Sequence, residues 1–322
     1  MLSSQPTATA IGVDFGGTSI KLGVARGAEL LQIGEPITTA DYPVPNDLIG
    51  AIAERVAKMR QSHPDVCGVG VGVPGLVNFH TGVVHVLTNV PGWVQIPLKE
   101  ILTRLTGLPC VVENDANAMT YAEWRYGAGA GLQNVVGLTL GTGVGGGLIL
   151  DGRMYRGSQF AAGEIGQMSI HMNGVSGHYG NLGALEKYIG NNQIAEHAQR
   201  VYSQAGLHRD LSQCTPKAIA DAAAAGDAAA LGIWKEIAEW LGTSLGSIAW
   251  LLNPDAFVIG GGVAQAGPIL FEPLEAKVRS MLSEVVGQNL RIVPARFSNE
   301  AGIIGNAALA GDHAAAIHGR AL

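Results

Sequence analysis

Charge is scarce in this chain. Charged residues make up 14% of its 322 residues, against the usual quarter of a soluble domain. No basic run is present and the net charge is −6, so no nucleic-acid-binding face is expected. Aromatic residues are also few, at 6%. The three cysteines, Cys67, Cys110 and Cys214, are odd in number and far apart. That argues against a disulfide framework and fits a reducing, cytoplasmic setting. No membrane span is expected. The most apolar helical stretch, residues 233–252, is interrupted by Lys235, Glu236 and Glu239, which marks a buried amphipathic helix. The opening MLSSQPTATA lacks the basic and apolar segments of a signal peptide. Ten residues precede Ile11, too few for a helix-turn-helix. Two nucleotide fingerprints are missing as well: there is no G-x-x-x-x-G-K-[ST] and no strand–G-x-G-x-x-G–helix unit. Residues 141–146 match the second as letters but lead into a strand.

What the chain does have is apolar residues, at 47%, and 46 glycines, about twice the usual ~7% share of glycine. Its length fits two domains. Residues 9–15, 21–25 and 29–37 read as strands. A helix follows with Ile49, Ile52, Val56 and Met59 at helical spacing and Asn46 or Asp47 as cap. A strand at 66–73, a helix at 98–105 and a strand at 109–112 lead to Glu113-Asn114-Asp115 and a further helix. The second half resembles a looser copy: strands at 135–140 and 147–150, a long helical region over 184–252, strands at 256–259 and 290–297, and a helix over 301–310. The order predicts an α/β fold with an antiparallel start.

Three strand ends carry glycine clusters: Asp14-Phe15-Gly16-Gly17-Thr18, Gly141-Thr142-Gly143 and Gly260-Gly261-Gly262. Glycine lets backbone N–H groups approach an anion closely. Thr18 and Thr142 add hydroxyls, and Asp14 adds a carboxylate suited to Mg²⁺, directly or through water. One such cluster reads equally well as a hairpin turn; three at strand ends point to phosphate.

These residues resemble the ROK family (repressors, open reading frames and sugar kinases). The resemblance rests on D-x-G-G-T-x-I-K at 14–21, E-N-D-A-N-A at 113–118, L-G-T-G-V-G-G-G at 140–147, G-E-I-G at 163–166, L-E at 185–186 and I-G-G-G-V at 259–263. It implies two RNase H-like domains of the actin-like ATPase/hexokinase type with an interdomain cleft. The smaller domain takes residues 1–119 plus the C-terminal helix, about 301–322, and the larger takes 120–300. It implies ATP and Mg²⁺ as nucleotide and metal. Asp14, Gly16, Gly17, Thr18 and Lys21 fall on one phosphate motif and Gly141, Thr142 and Gly143 on the other, with Gly261 and Gly262 along the adenosine. A homodimer is also implied.

Transfer of a phosphoryl group to a sugar needs an aligned hydroxyl, a base and charge neutralisation. Asp115 is the candidate base, where a strand ends and a helix begins. The local alternative is that Asn114 and Asp115 simply cap that helix. Asn114 can donate to and accept from a sugar hydroxyl. The resemblance places Glu164 and Glu186 on the sugar ring, with Gly75 and Asn89 at its border. For Glu186 the alternative is a solvated helix position beside Lys187.

The sequence departs from the family at its zinc motif. The His position is Gln167, and Gly177, Tyr179 and Ala184 stand where three cysteines would be. These do not make a tetrahedral N/S site, so no zinc is expected. Gln167 offers the sugar an amide instead, and the loop over 171–183 must be held by packing and hydrogen bonds. The expected activity is ATP-dependent phosphorylation of the glucose 6-hydroxyl. The alternatives are a kinase for fructose, mannose or an N-acetylhexosamine, polyphosphate as donor, or a non-catalytic sugar-binding regulator.

Overall fold

The computed structural model describes residues 8–87, 90 and 92–319. The chain divides into two compact units. The first holds the described residues up to Ala130, then 154–162, then those from Asn299 onward; the second holds 131–153 and 163–298. The division expected near residue 120 would cut a helix whose residues 116–124 are all buried. The chain therefore stays in the first unit until that helix has ended.

The first unit begins with β1 (Thr9–Phe15), β2 (Ser19–Arg26), β3 (Glu29–Ile33) and β4 (Ile37–Thr38). The single strand expected over 29–37 is thus two pieces, separated by Gly34 to Pro36. Next is α1 (Pro45–Ser62), which turns Leu48, Ile49, Ile52, Val56 and Met59 inward. Its N-cap is Val44, not Asn46 or Asp47, because Pro45 with its preset φ occupies the first helical position. Then follow β5 (Val69–Val73), β6 (Val77–Asn78), β7 (Val83–Val86), β8 (Val94–Pro97), α2 (Leu98–Thr106), β9 (Cys110–Asn114) and α3 (Asp115–Tyr126). The main sheet has the order β3-β2-β1-β5-β9, with β4 on β2. β1 runs antiparallel to β2 and parallel to β5, and β5 runs parallel to β9. β6, β7 and β8 form a small separate sheet that sequence periodicity did not reveal.

The second unit repeats the plan. β10 (Val135–Leu140), β11 (Val144–Leu150), β13 (Ala256–Gly260) and β14 (Arg291–Pro294) form a sheet of order β11-β10-β13-β14, and the short β12 (Arg153–Tyr155) spans the point where the chain passes to the first unit. β10 is again antiparallel to the next strand and parallel to β13. The long helical region resolves into α4 (Glu186–Ile189), α5 (Asn191–Gln204), α6 (Pro216–Ala224) and α7 (Ala228–Leu252). Gly226 at φ +88° separates the last two, and Asp227 then caps α7 through the Ala230 N–H. α8 (Pro268–Ser280) and α9 (Glu284–Gly287) follow, and α10 (Ala301–His318) closes the described chain in the first unit. No described helix is long and apolar enough to cross a membrane.

Glycine explains how α10 seats. A β-carbon on Gly12 would land on the Ile303 carbonyl oxygen, and one on Gly70 on that of Asn306. The helix backbone therefore lies directly on β1 and β5. Asn306, fully buried, donates from Nδ2 to the Val13 carbonyl at 3.0 Å.

Candidate functional site

In the first unit the candidate residues sit at the C-terminal ends of β1, β5 and β9, where parallel sheets leave room for ligands. The register sets Asp14 beside Gly72 and Gly72 beside Glu113. At the usual ~4.8 Å strand spacing, Asp14 lies about 10 Å from the start of Asn114-Asp115.

Asp14 is followed by a tight turn in which the Gly16 N–H donates to the Ser19 carbonyl at 3.0 Å. That N–H shapes the turn. The carbonyls of Gly17 and Thr18 accept from the Thr39 hydroxyl and N–H, at 2.9 and 3.1 Å. Lys21 pairs with Asp14 across the hairpin. Burial pushes the Asp14 carboxyl above the usual carboxylate range, and the charge of Lys21 opposes this. The first turn of α10 closes over Asp14. A β-carbon on Gly302 would lie 2.7 Å from Asp14 Cγ and 2.9 and 3.0 Å from its oxygens. A side chain there would push the Asp14 carboxylate aside.

Asn114 is the N-cap of α3; its Oδ1 accepts from the Ala116 and Asn117 N–H groups at 2.9 and 3.1 Å. Its Nδ2 donates to the Gly75 carbonyl at 3.1 Å, so Gly75, Asn114 and Asp115 are brought together. Asp115 opens α3 and is half-buried, its Oδ1 accepting from the Ala116 N–H at 2.8 Å. The capping alternative thus holds for Asn114 and leaves Asp115 the first helical residue. Beneath them lies Glu113, 3% exposed and paired with Arg156 at 2.7 Å. Neither of these two was singled out from the sequence. Asn89 lies outside the described residues.

In the second unit, Gly141-Thr142-Gly143 ends β10 and Gly261-Gly262 ends the neighbouring β13. The Gly141 N–H donates to the Gly143 carbonyl at 3.0 Å. Gly261 serves the turn: its φ is +90° and a β-carbon there would meet the Leu140 backbone. Gly262 faces open space. Glu186 reaches this loop. Its Oε2 accepts from the Val144 N–H at 3.2 Å and occupies the place of a Gly143 β-carbon. The solvated-helix alternative for Glu186 therefore does not hold. Burial raises the Glu164 carboxyl, and the charge of Glu186 raises it further. The two carboxylates thus share one neighbourhood.

The segment after Glu164 is held without metal ligands. Asn181 Nδ2 donates to the Gln167 carbonyl at 2.7 Å, and the Asn181 carbonyl accepts from the Gly177 N–H at 2.6 Å. Ser169 Oγ donates to the Leu182 carbonyl at 2.6 Å. A β-carbon on Gly177 would lie 2.9 Å from that of Ala184. Three of the four zinc positions therefore close on Asn181 and on each other. Among the described residues no three His, Cys, Asp or Glu side chains gather as a metal site. This donor set does not fit zinc. A hollow of 440 Å³ over the end of α5, bordered by Arg200, His208 and Asp210, holds none of the candidate residues.

A scan of family profiles matches residues 10–313 to "ROK family". Glucokinase from Streptomyces coelicolor is 34% identical over 316 residues, covering 93% of this chain and 96% of that protein. Among solved structures, a ROK family glucokinase from Streptomyces griseus in complex with glucose and AMPPNP superposes with a TM-score of 0.80 and 32% identity, covering 95% of this chain and 100% of that one. A ROK hexokinase from Thermus thermophilus gives a TM-score of 0.81 at 30% identity, covering 94% and 97%.

Proposed function

Since this chain belongs to the ROK family, we propose that it transfers the γ-phosphate of ATP to the 6-hydroxyl of glucose. It is a sugar kinase, a phosphotransferase with an alcohol acceptor. The observation that carries this is the strand register, which holds Asp14 and Asn114-Asp115 on one sheet edge, two strands apart. Glucose is favoured among the hexoses because the relatives at 32–34% identity bear the name glucokinase.

Asp115 accepts the proton of the sugar hydroxyl as that oxygen bonds to the γ-phosphorus. The bond from phosphorus to the β,γ-bridging oxygen breaks, and ADP leaves with that electron pair. Asn114 is spent on the helix cap and on Gly75, so its contribution is to fix Asp115 rather than to sort hydroxyls freely. Glu164 and Glu186 accept hydrogen bonds from the ring hydroxyls, each oxygen with a fixed direction. Thr18, Thr142, Gly143 and Gly262 serve the nucleotide. A partly buried carboxylate beneath Gly302 fits Mg²⁺, whose charge restores the ionised form that burial disfavours. Bound there, Mg²⁺ would neutralise charge on the phosphate oxygens.

A cytoplasmic enzyme agrees with three free cysteines. A homodimer is supported by Trp250 and Leu251 at the end of α7 and Val285 on α9, which are 56%, 77% and 81% exposed. Light scattering of the wild type against a Leu251→Glu, Val285→Glu variant tests that face.

The decisive assay supplies ATP, Mg²⁺ and a panel of hexoses, and measures ADP and the sugar phosphate. Glucose is expected to be the best acceptor. Asp115→Ala should fold and lose about 10³-fold or more in kcat, within the range of general-base catalysis. A variant with wild-type kcat, or a wild type inert toward every hexose, would refute the reading.

A further inference from the structure

Arg156 stands in an unusual place in the chain. Residues 154–162 belong to the first unit, although the chain on either side belongs to the second. Within that stretch, Arg156 Nε donates to Glu113 Oε2 at 2.7 Å. Its guanidinium lies over the Phe79 ring, 3.6 Å from the centroid. The other oxygen of Glu113 accepts from the Asn114 N–H and from Asn117 Nδ2, both at 3.0 Å. One carboxylate thus gathers three donors: the guanidinium, the cap of α3 and the first turn of α3. Asp115 lies between the last two. Phe160 adds a second attachment from the same stretch, edge-on to His80 with centroids 5.1 Å apart.

Such a pair is a poor device for stability alone. The Arg156 and Glu113 side chains are 17% and 3% exposed, and a buried ion pair of this kind often stabilises no more than apolar residues of the same volume. What it supplies is direction. A planar guanidinium stacked on a ring can approach the carboxylate along one line only, so the carboxylate cannot rotate away from Asn114 and Asn117.

We propose that Arg156 is a positioning residue for Asp115. By fixing Glu113 it fixes the first turn of α3, and with it the aim of the Asp115 carboxylate. This rests on the reading of Asp115 as the base. Arg156 also precedes Glu164 by few residues, so the stretch it anchors leads directly to a sugar-binding carboxylate.

The test uses full-length Arg156→Ala and Arg156→Lys, assayed with ATP, Mg²⁺ and glucose well below their melting temperatures and normalised to folded protein. Arg156→Ala should lose at least about tenfold in kcat, approaching the ~10²-fold cost of a 1 Å misplacement, while KM for ATP stays within about twofold. Arg156→Lys should recover part of kcat by restoring the charge. Hydrogen exchange of the amides at 114–118 should quicken in Arg156→Ala. If Arg156→Ala melts earlier yet keeps its kcat per folded molecule within twofold, Arg156 is structural only and the proposal fails. Should the wild type phosphorylate no hexose, the kinase reading fails by itself. The exchange rates then still decide whether Arg156 orders the start of α3, and unchanged rates overturn it.

Discussion

Gly302→Ala should give a protein that folds well and binds its nucleotide badly. Residue 302 lies in the first turn of α10, where alanine is favoured over glycine by up to ~1 kcal/mol. The added methyl would stand 2.7 Å from Asp14 Cγ and 2.9–3.0 Å from the carboxylate oxygens. Ordinary contacts begin near 3.5 Å, so the carboxylate has to retreat by about 0.5–1 Å. The helix does not give way instead, because Gly12 and Gly70 already hold its carbonyls against the sheet. Displacement on that scale costs about 10- to 100-fold in a positioned site. Melting followed by circular dichroism should place the variant within about 3 °C of wild type. Initial rates with varied Mg-ATP at saturating glucose should show the loss in kcat/KM for the nucleotide. A variant with wild-type kcat/KM for Mg-ATP would show that Asp14 does not need its present position, and the metal assignment would fall. Gly12→Ala is the contrast. There the methyl meets a backbone carbonyl, and the expected result is a fall in melting temperature.

Asp14→Asn should abolish activity yet raise the melting temperature at pH 7 in the absence of Mg²⁺. Burial raises the Asp14 pKa in the folded chain, so above that pKa the ionised carboxylate opposes folding. The gap between variant and wild type should close as pH falls below about 4, the unfolded value; a variant that melts lower at pH 7 contradicts this. Glu186→Ala removes an acceptor from the Val144 N–H and should raise KM for glucose by about tenfold or more, the scale of a charged hydrogen bond. Glu186→Gln, which keeps an acceptor, should do less harm, and an unchanged KM in both would take Glu186 off the sugar. A zinc-selective chelator should leave the melting temperature unchanged, since Asn181 holds the loop over 171–183. A loss of several degrees would reveal a metal that the side chains do not predict.

Elements with a strong period were legible from the sequence. β1, β10 and β13 are mostly apolar runs that lead into glycine clusters, and all three are buried parallel or hairpin strands. α1 announces itself through Ile49, Ile52, Val56 and Met59. β6, β7 and β8 do not, because strands of two to four residues are too short to show alternation. The candidate site stood out in the sequence through motifs, the three glycine clusters at strand ends and Asp14 among them. It was unreadable where partners are distant in sequence. Arg156 looks like any basic residue on a turn until the fold brings Glu113 and Phe79 to it. Gly302 looks like a weak point in a helix until Asp14 lies beneath it. Asn114 teaches the converse. Its polar atoms were read as reaching for ligand, but the cap uses them first.

The bond from Asn306 to the Val13 carbonyl joins residues 293 positions apart. During synthesis, β1 and β5 leave the ribosome without the helix that seats on Gly12 and Gly70 and wait for it until almost the whole remaining chain has been made. That long interval is an opening for misfolding and for chaperone capture. A stop codon shortly before α10 would spare the entire second unit and still leave the nascent enzyme without its first.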